Sequence, residues 1–108
     1  MNESAADWSF FSNYTHVLVC IAENPHARLR DLANLVGITE RTAQRLVTQL
    51  EESGILKRIK EGRRNRYLID VRKHLHHPIE SHCTVGELLG TILNQEIPKS
   101  GIDSSRAL

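Results

Sequence analysis

Long apolar runs are missing from this 108-residue chain. No stretch approaches the roughly 18 consecutive apolar residues of a membrane-spanning helix. The opening residues, Met1 to Asp7, lack the basic start and apolar core of a secretory signal. Cysteine is scarce as well: Cys20 and Cys83 are too few and too far apart for a disulfide framework, which fits reduced thiols in a cytoplasmic protein. A glycine-rich phosphate loop, a nucleophile elbow and a catalytic triad are all lacking, so an enzyme is not expected. Cys20, one turn after His16, is the nearest approach to a nucleophile and its base, but burial on a helix would raise the thiol pKa rather than lower it.

What is present is an ordinary single-domain composition, with 40% hydrophobic and 25% charged residues, and a distinctive distribution of charge. The formal net charge is only +1. Up to Thr39 the chain is acidic, with Glu3, Asp7, Glu23 and Asp31 against Arg28 and Arg30. From Glu40 to Lys73 ten basic residues face five acidic ones, a local net of +5. Beyond His74 it turns acidic again. A basic middle between acidic ends points to a localised polyanion site.

The pattern of apolar residues predicts mainly helix with one small hairpin. Asn13 is the expected cap of a first helix, Tyr14 to Glu23, which ends at Asn24-Pro25 because the residue before proline avoids the helical conformation. Ala27 to Leu29 reads as one short strand. Arg30 to Val36 follows as a short helix with Leu32, Leu35 and Val36 inward, ended by Gly37. Thr39 caps the next helix, Glu40 to Ser53, where Ala43, Leu46, Val47 and Leu50 form one apolar stripe. Ile55 to Lys60 and Arg66 to Ile69 read as strands around a turn, Glu61 to Asn65, with two positions suited to positive φ. A last helix starts at Ser81 or Thr84 and runs to about Asn94. Residues 1–94 are read as the domain and 95–108 as a flexible tail.

A short helix, a glycine turn and a second helix with a polar outer face make a helix-turn-helix, whose second helix is the one that enters the major groove. Its outer face offers Arg41, Gln44, Arg45 and Thr48, with Thr39 and Glu40 at its entrance. Arginine can bond guanine twice, glutamine can pair with adenine, and threonine offers a hydroxyl and a methyl group. The hairpin that follows carries Lys60, Arg63, Arg64, Asn65 and Arg66 near its tip, a wing suited to phosphates or the minor groove. The expected architecture is therefore a winged helix-turn-helix, with the first and last helices flanking the reading head. The expected partner is double-stranded DNA.

The residues Leu32-Ala33-Asn34-Leu35-Val36-Gly37-Ile38-Thr39-Glu40-Arg41-Thr42, then Leu50-Glu51-Glu52-Ser53-Gly54-Ile55-Leu56, resemble the MarR-like and ArsR-like winged-helix regulators. The wing from Glu61 to Tyr67 is similar to theirs. The section His77-Pro78-Ile79-Glu80 with His82, then Thr84 to Leu89, looks like short prokaryotic regulators that end soon after the wing. The resemblance covers about Trp8 to Leu93 and implies a prokaryotic, dimeric, sequence-specific DNA binder. It implies neither an effector nor a target gene.

Dimerisation is expected through Trp8 and Phe11 together with Leu88, Leu89 and Ile92 of the last helix; the alternative is that this helix folds back on its own domain. No cofactor and no metal are expected. His74, His76, His77, His82 and Cys83 cluster in sequence, but the chain lacks the close cysteine pairs typical of metal sites. Two other readings stay open, a protein-docking winged helix and a metal-responsive sensor of the ArsR-like kind.

Overall fold

The computed structural model describes residues 8–94, so the expected tail at 95–108 lies outside the described residues. The elements run in the order α1 (Asn13–Glu23), α2 (Leu29–Val36), α3 (Glu40–Glu52), β1 (Leu56–Glu61), β2 (Arg64–Ile69) and α4 (Val85–Leu93). This is mainly helix with one antiparallel hairpin, the architecture of a winged helix-turn-helix.

The first helix begins one residue early, at Asn13. Ser12 is its N-cap, without a side-chain hydrogen bond, and its carbonyl accepts the His16 N–H at 3.2 Å. The expected strand at Ala27 to Leu29 does not form. Asp31 accepts the Arg28 backbone N–H at 3.1 Å and draws Leu29 into the first turn of α2. What remains of a third strand is one bond, from the Tyr67 N–H to the Pro25 carbonyl at 2.9 Å.

Leu35 is also corrected, since it is 69% exposed while Leu32 and Ala33 are buried. At about 100° per residue the inward arc of α2 is Leu29, Leu32, Ala33 and Val36, and Leu35 falls roughly 110° from its centre. Gly37 ends the helix at φ +86. A Cβ there would meet nothing within 4 Å, so the cost of substitution is purely conformational. Gly37→Ala should therefore lower stability by about 1–2 kcal/mol, read as an earlier urea midpoint with an unchanged slope.

Helix α3 buries the stripe Ala43, Leu46, Val47 and Leu50. Thr39 caps it, its hydroxyl accepting the Thr42 N–H at 3.1 Å. The hairpin is tighter than expected, because Glu61 pairs directly with Arg64 and leaves Gly62-Arg63 as a two-residue turn. Gly62 has φ +64 and Asn65 lies within β2, so only one of the two expected positive-φ positions is used. Leu56 pairs with Ile69 at the buried base of the hairpin, while the tip is exposed.

Helix α4 is fastened to its own domain. Thr84, rather than Ser81, is the N-cap, in a reciprocal capping box with Glu87. The Val85 N–H donates to the Lys73 carbonyl at 2.8 Å and the Gly86 N–H to Val71 at 3.0 Å. These carbonyls satisfy donors that a helix start leaves open. Val85 and Leu89 are 0% exposed and join Val17, Ile21, Leu50 and Ile69 in one core. Leu89 was expected on a dimer surface; it is instead a central core residue, because the chain after β2 turns α4 back towards α1.

Candidate nucleic-acid interface

The exposed face of α3 presents Arg41, Gln44 and Arg45, with Thr48 half-buried beside them. Their local geometry is ordered by hydrogen bonds one turn apart. Gln44 Nε2 donates to Thr48 Oγ1 at 3.1 Å, and Arg45 Nη1 lies 3.5 Å from Gln49 Oε1. The same Gln49 oxygen accepts the hydroxyl of Tyr14 from α1, so Arg45 is tied to the helix beneath it. The Thr39 hydroxyl is occupied twice, accepting the Thr42 N–H and donating to Thr42 Oγ1 at 3.0 Å. Both bonds fix the start of α3.

A cleft of about 450 Å³ lies between the start of α2, the start of α3 and the wing. Arg28, Arg30, Arg58, Arg63 and Arg64 line it, with Glu40 as the acidic group among them. Of the expected site residues, Glu40, Arg63, Arg64 and Asn65 meet there, while Lys60 and Arg66 stay outside its lining. Among the described residues none of Arg28, Arg30, Arg41, Lys60 and Arg63 pairs with a carboxylate. Such a concave surface with uncompensated guanidinium groups concentrates anions.

Arg28, Arg30 and Arg58 were not singled out from sequence. Arg28 and Arg30 sit in a stretch whose overall charge is acidic, which concealed them; the signal was two arginines spaced by one residue at a helix start. Arg58 is held by Glu51 through two bonds of 2.9 and 2.7 Å and lies 6.0 Å from the centre of the Tyr67 ring, its cross-strand partner. The Glu51 hydrogen bond raises the Arg58 pKa, and burial raises that of the Tyr67 hydroxyl. Arg58 thus supports the cleft wall with its charge already compensated.

Arg66 departs furthest from expectation. Its Nε lies 2.9 Å from Glu61 Oε2, and Glu61 Oε1 lies 3.2 Å from His26 Nε2. Hydrogen bonding to Arg66 first, and to His26 second, holds the Glu61 carboxyl below its ordinary range.

The other candidates read differently. Burial, and then Glu23, push the Cys20 thiol upward, away from a reactive thiolate. His16 is engaged at 3.2 Å with both Ser9 and Asn13. His74 Nδ1 donates to the Ser81 carbonyl at 2.8 Å, and His77 Nδ1 accepts the Ile79 N–H at 3.1 Å, so both shape their loop. Among the described residues no group of three His, Cys, Asp or Glu side chains could hold a metal ion. No described helix is long and apolar enough to cross a membrane.

The MarR family model matches residues 12–63, just under half of the chain. The matched part runs from the cap of α1 to the tip of the wing, so β2 and α4 lie beyond it. No curated protein and no solved structure matches the chain.

Proposed function

We propose that this winged-helix protein is a MarR-like transcriptional regulator that binds a specific double-stranded DNA sequence, with α3 in the major groove and the wing on the flanking backbone or minor groove. The observation that carries this reading is the cleft between α2, α3 and the wing, where Arg28, Arg30, Arg63 and Arg64 converge without carboxylate partners among the described residues. A phosphate strand crossing it would be gripped from both sides while Arg41, Gln44 and Arg45 reach the base edges. A cytoplasmic site of action belongs to the same proposal.

A salt titration tests it. Arg63→Ala or Arg64→Ala should weaken binding to every duplex sequence and reduce the slope of log K against log salt by about 0.9 for each phosphate the variant no longer neutralises. An unchanged slope would remove the wing from the interface. Salt-insensitive binding by the wild type would favour a protein-docking module instead.

The protein is further proposed to act as a homodimer, since two reading heads suit a pseudo-palindromic site. Exposed apolar side chains support this. Trp8 is 66% and Phe10 87% exposed, their rings 4.9 Å apart. Phe10, Phe11 and Leu88 line one groove, and Ile79 and Ile92 are also exposed. The proposed surface now comprises Trp8, Phe11, Leu88 and Ile92, without Leu89.

A further inference from the structure

The wing carries one carboxylate among its cations, and it stands where the wing meets the body of the domain. Glu61 closes β1 immediately before Gly62 and pairs across the hairpin with Arg64. One of its oxygens takes Arg66 and the other faces His26, which belongs to the turn between α1 and α2. The Arg64 guanidinium leans the same way, 3.4 Å from the His26 carbonyl. His26 and Arg64 both line the arginine cleft.

Glu61 contributes little to the fold as an ion-pair partner, because exposed pairs of this kind are weak in high dielectric. The hairpin and its seat on the body are already held by the buried Leu56–Ile69 pair and the Tyr67–Pro25 backbone bond. Its effect on a polyanion is different. A full negative charge beside Arg66 cancels one cation of the wing and repels any phosphate that approaches it.

Taking the DNA-binding reading as its basis, we propose that Glu61 is a specificity-determining residue that restrains sequence-independent binding by withholding Arg66 from the DNA backbone. On arbitrary DNA the protein relies on charge alone, so one withheld cation is felt in full. On the preferred sequence, base contacts from α3 supply part of the affinity and fix the docking geometry, so the effect is smaller. Glu61 thereby widens the gap between preferred and arbitrary DNA, the form of discrimination that works by penalising the wrong partner.

The test is a salt titration of binding to a random-sequence duplex by the wild type, Glu61→Gln, Arg66→Gln and the double variant, each checked by thermal melting. Glu61→Gln should steepen the slope by about 0.9 and tighten random binding roughly five- to tenfold near 0.1 M salt, with a smaller gain on the preferred sequence. Arg66→Gln alone leaves the Glu61 charge without its arginine partner and should weaken random binding, whereas the double variant, with the same net charge as the wild type, should return to the wild-type slope. The proposal is overturned if the double variant has a slope flatter than the wild type by that amount, because Arg66 then already meets a phosphate despite Glu61. It is equally overturned if Glu61→Gln leaves binding unchanged, or weakens it with a lower melting temperature, which would make Glu61 a structural clamp. A wild type without salt-dependent DNA binding would instead remove the underlying reading, an outcome distinct from all of these.

Discussion

Leu89→Ala should destabilise the domain by about 2–5 kcal/mol, the range for deleting a buried leucine side chain from a core that only partly closes the cavity. For a domain of this size each kcal/mol corresponds to roughly 4–8 °C, so the melting temperature should fall by roughly 8–40 °C. The reason is position: Leu89 is fully enclosed in the same apolar cluster as Val17, Ile21 and Ile69. Leu89→Glu should go further and leave a protein that does not fold, since it would bury an unpaired charge. Ile92 is the contrast, one turn away and 36% exposed. Ile92→Glu should keep helix content and melting close to the wild type and, on the proposed homodimer, shift the sedimenting species to monomer at micromolar concentration; a wild type that already sediments as a monomer would remove the proposed dimer. Equal loss of folding in both variants would place Ile92 in the core as well, and an unchanged dimer would remove α4 from the interface.

Arg45→Ala should weaken binding to the best DNA site by about 1–3 kcal/mol while relaxing the preference at one base position. Arg45 lies on the exposed face of α3 beside Gln44, and its contact with Gln49 ties it through Tyr14 to α1. Base reading and phosphate binding leave different signatures, which makes this variant informative. Removing a base-reading side chain changes the selected motif and spares most of the binding to random duplex. Equal weakening on specific and random DNA would reassign Arg45 to the backbone.

The parts of the fold legible in sequence are those written into neighbouring residues. Ala43, Leu46, Val47 and Leu50 repeat at helical spacing, Thr39 stands where a cap is needed, and Gly37 supplies the turn between the two helices. The missed parts depend on partners distant in the chain. The cleft joins Arg28 and Arg30 to Arg63 and Arg64, more than thirty positions away, and no local window contains both sets. The neutralisation of Arg66 depends on the two-residue turn, which brings Glu61 opposite Arg64 and within reach of Arg66. Leu35 shows the limit of periodicity on a helix of eight residues, where a single apolar side chain outside the buried arc still reads as inward. Leu88, Leu89 and Ile92 lie within five residues of one another in sequence, and only the return of α4 onto α1 separates the buried Leu89 from the exposed Ile92.

The most direct measurement is selection of bound sequences from a random duplex pool by the full chain. Recognition through α3, by a dimer of reading heads, predicts enrichment of an inverted repeat whose half-sites are centred one helical turn apart, about 10 base pairs. A pool that emerges unenriched, or protein that retains no duplex at low salt, would contradict sequence-specific DNA binding by this winged helix.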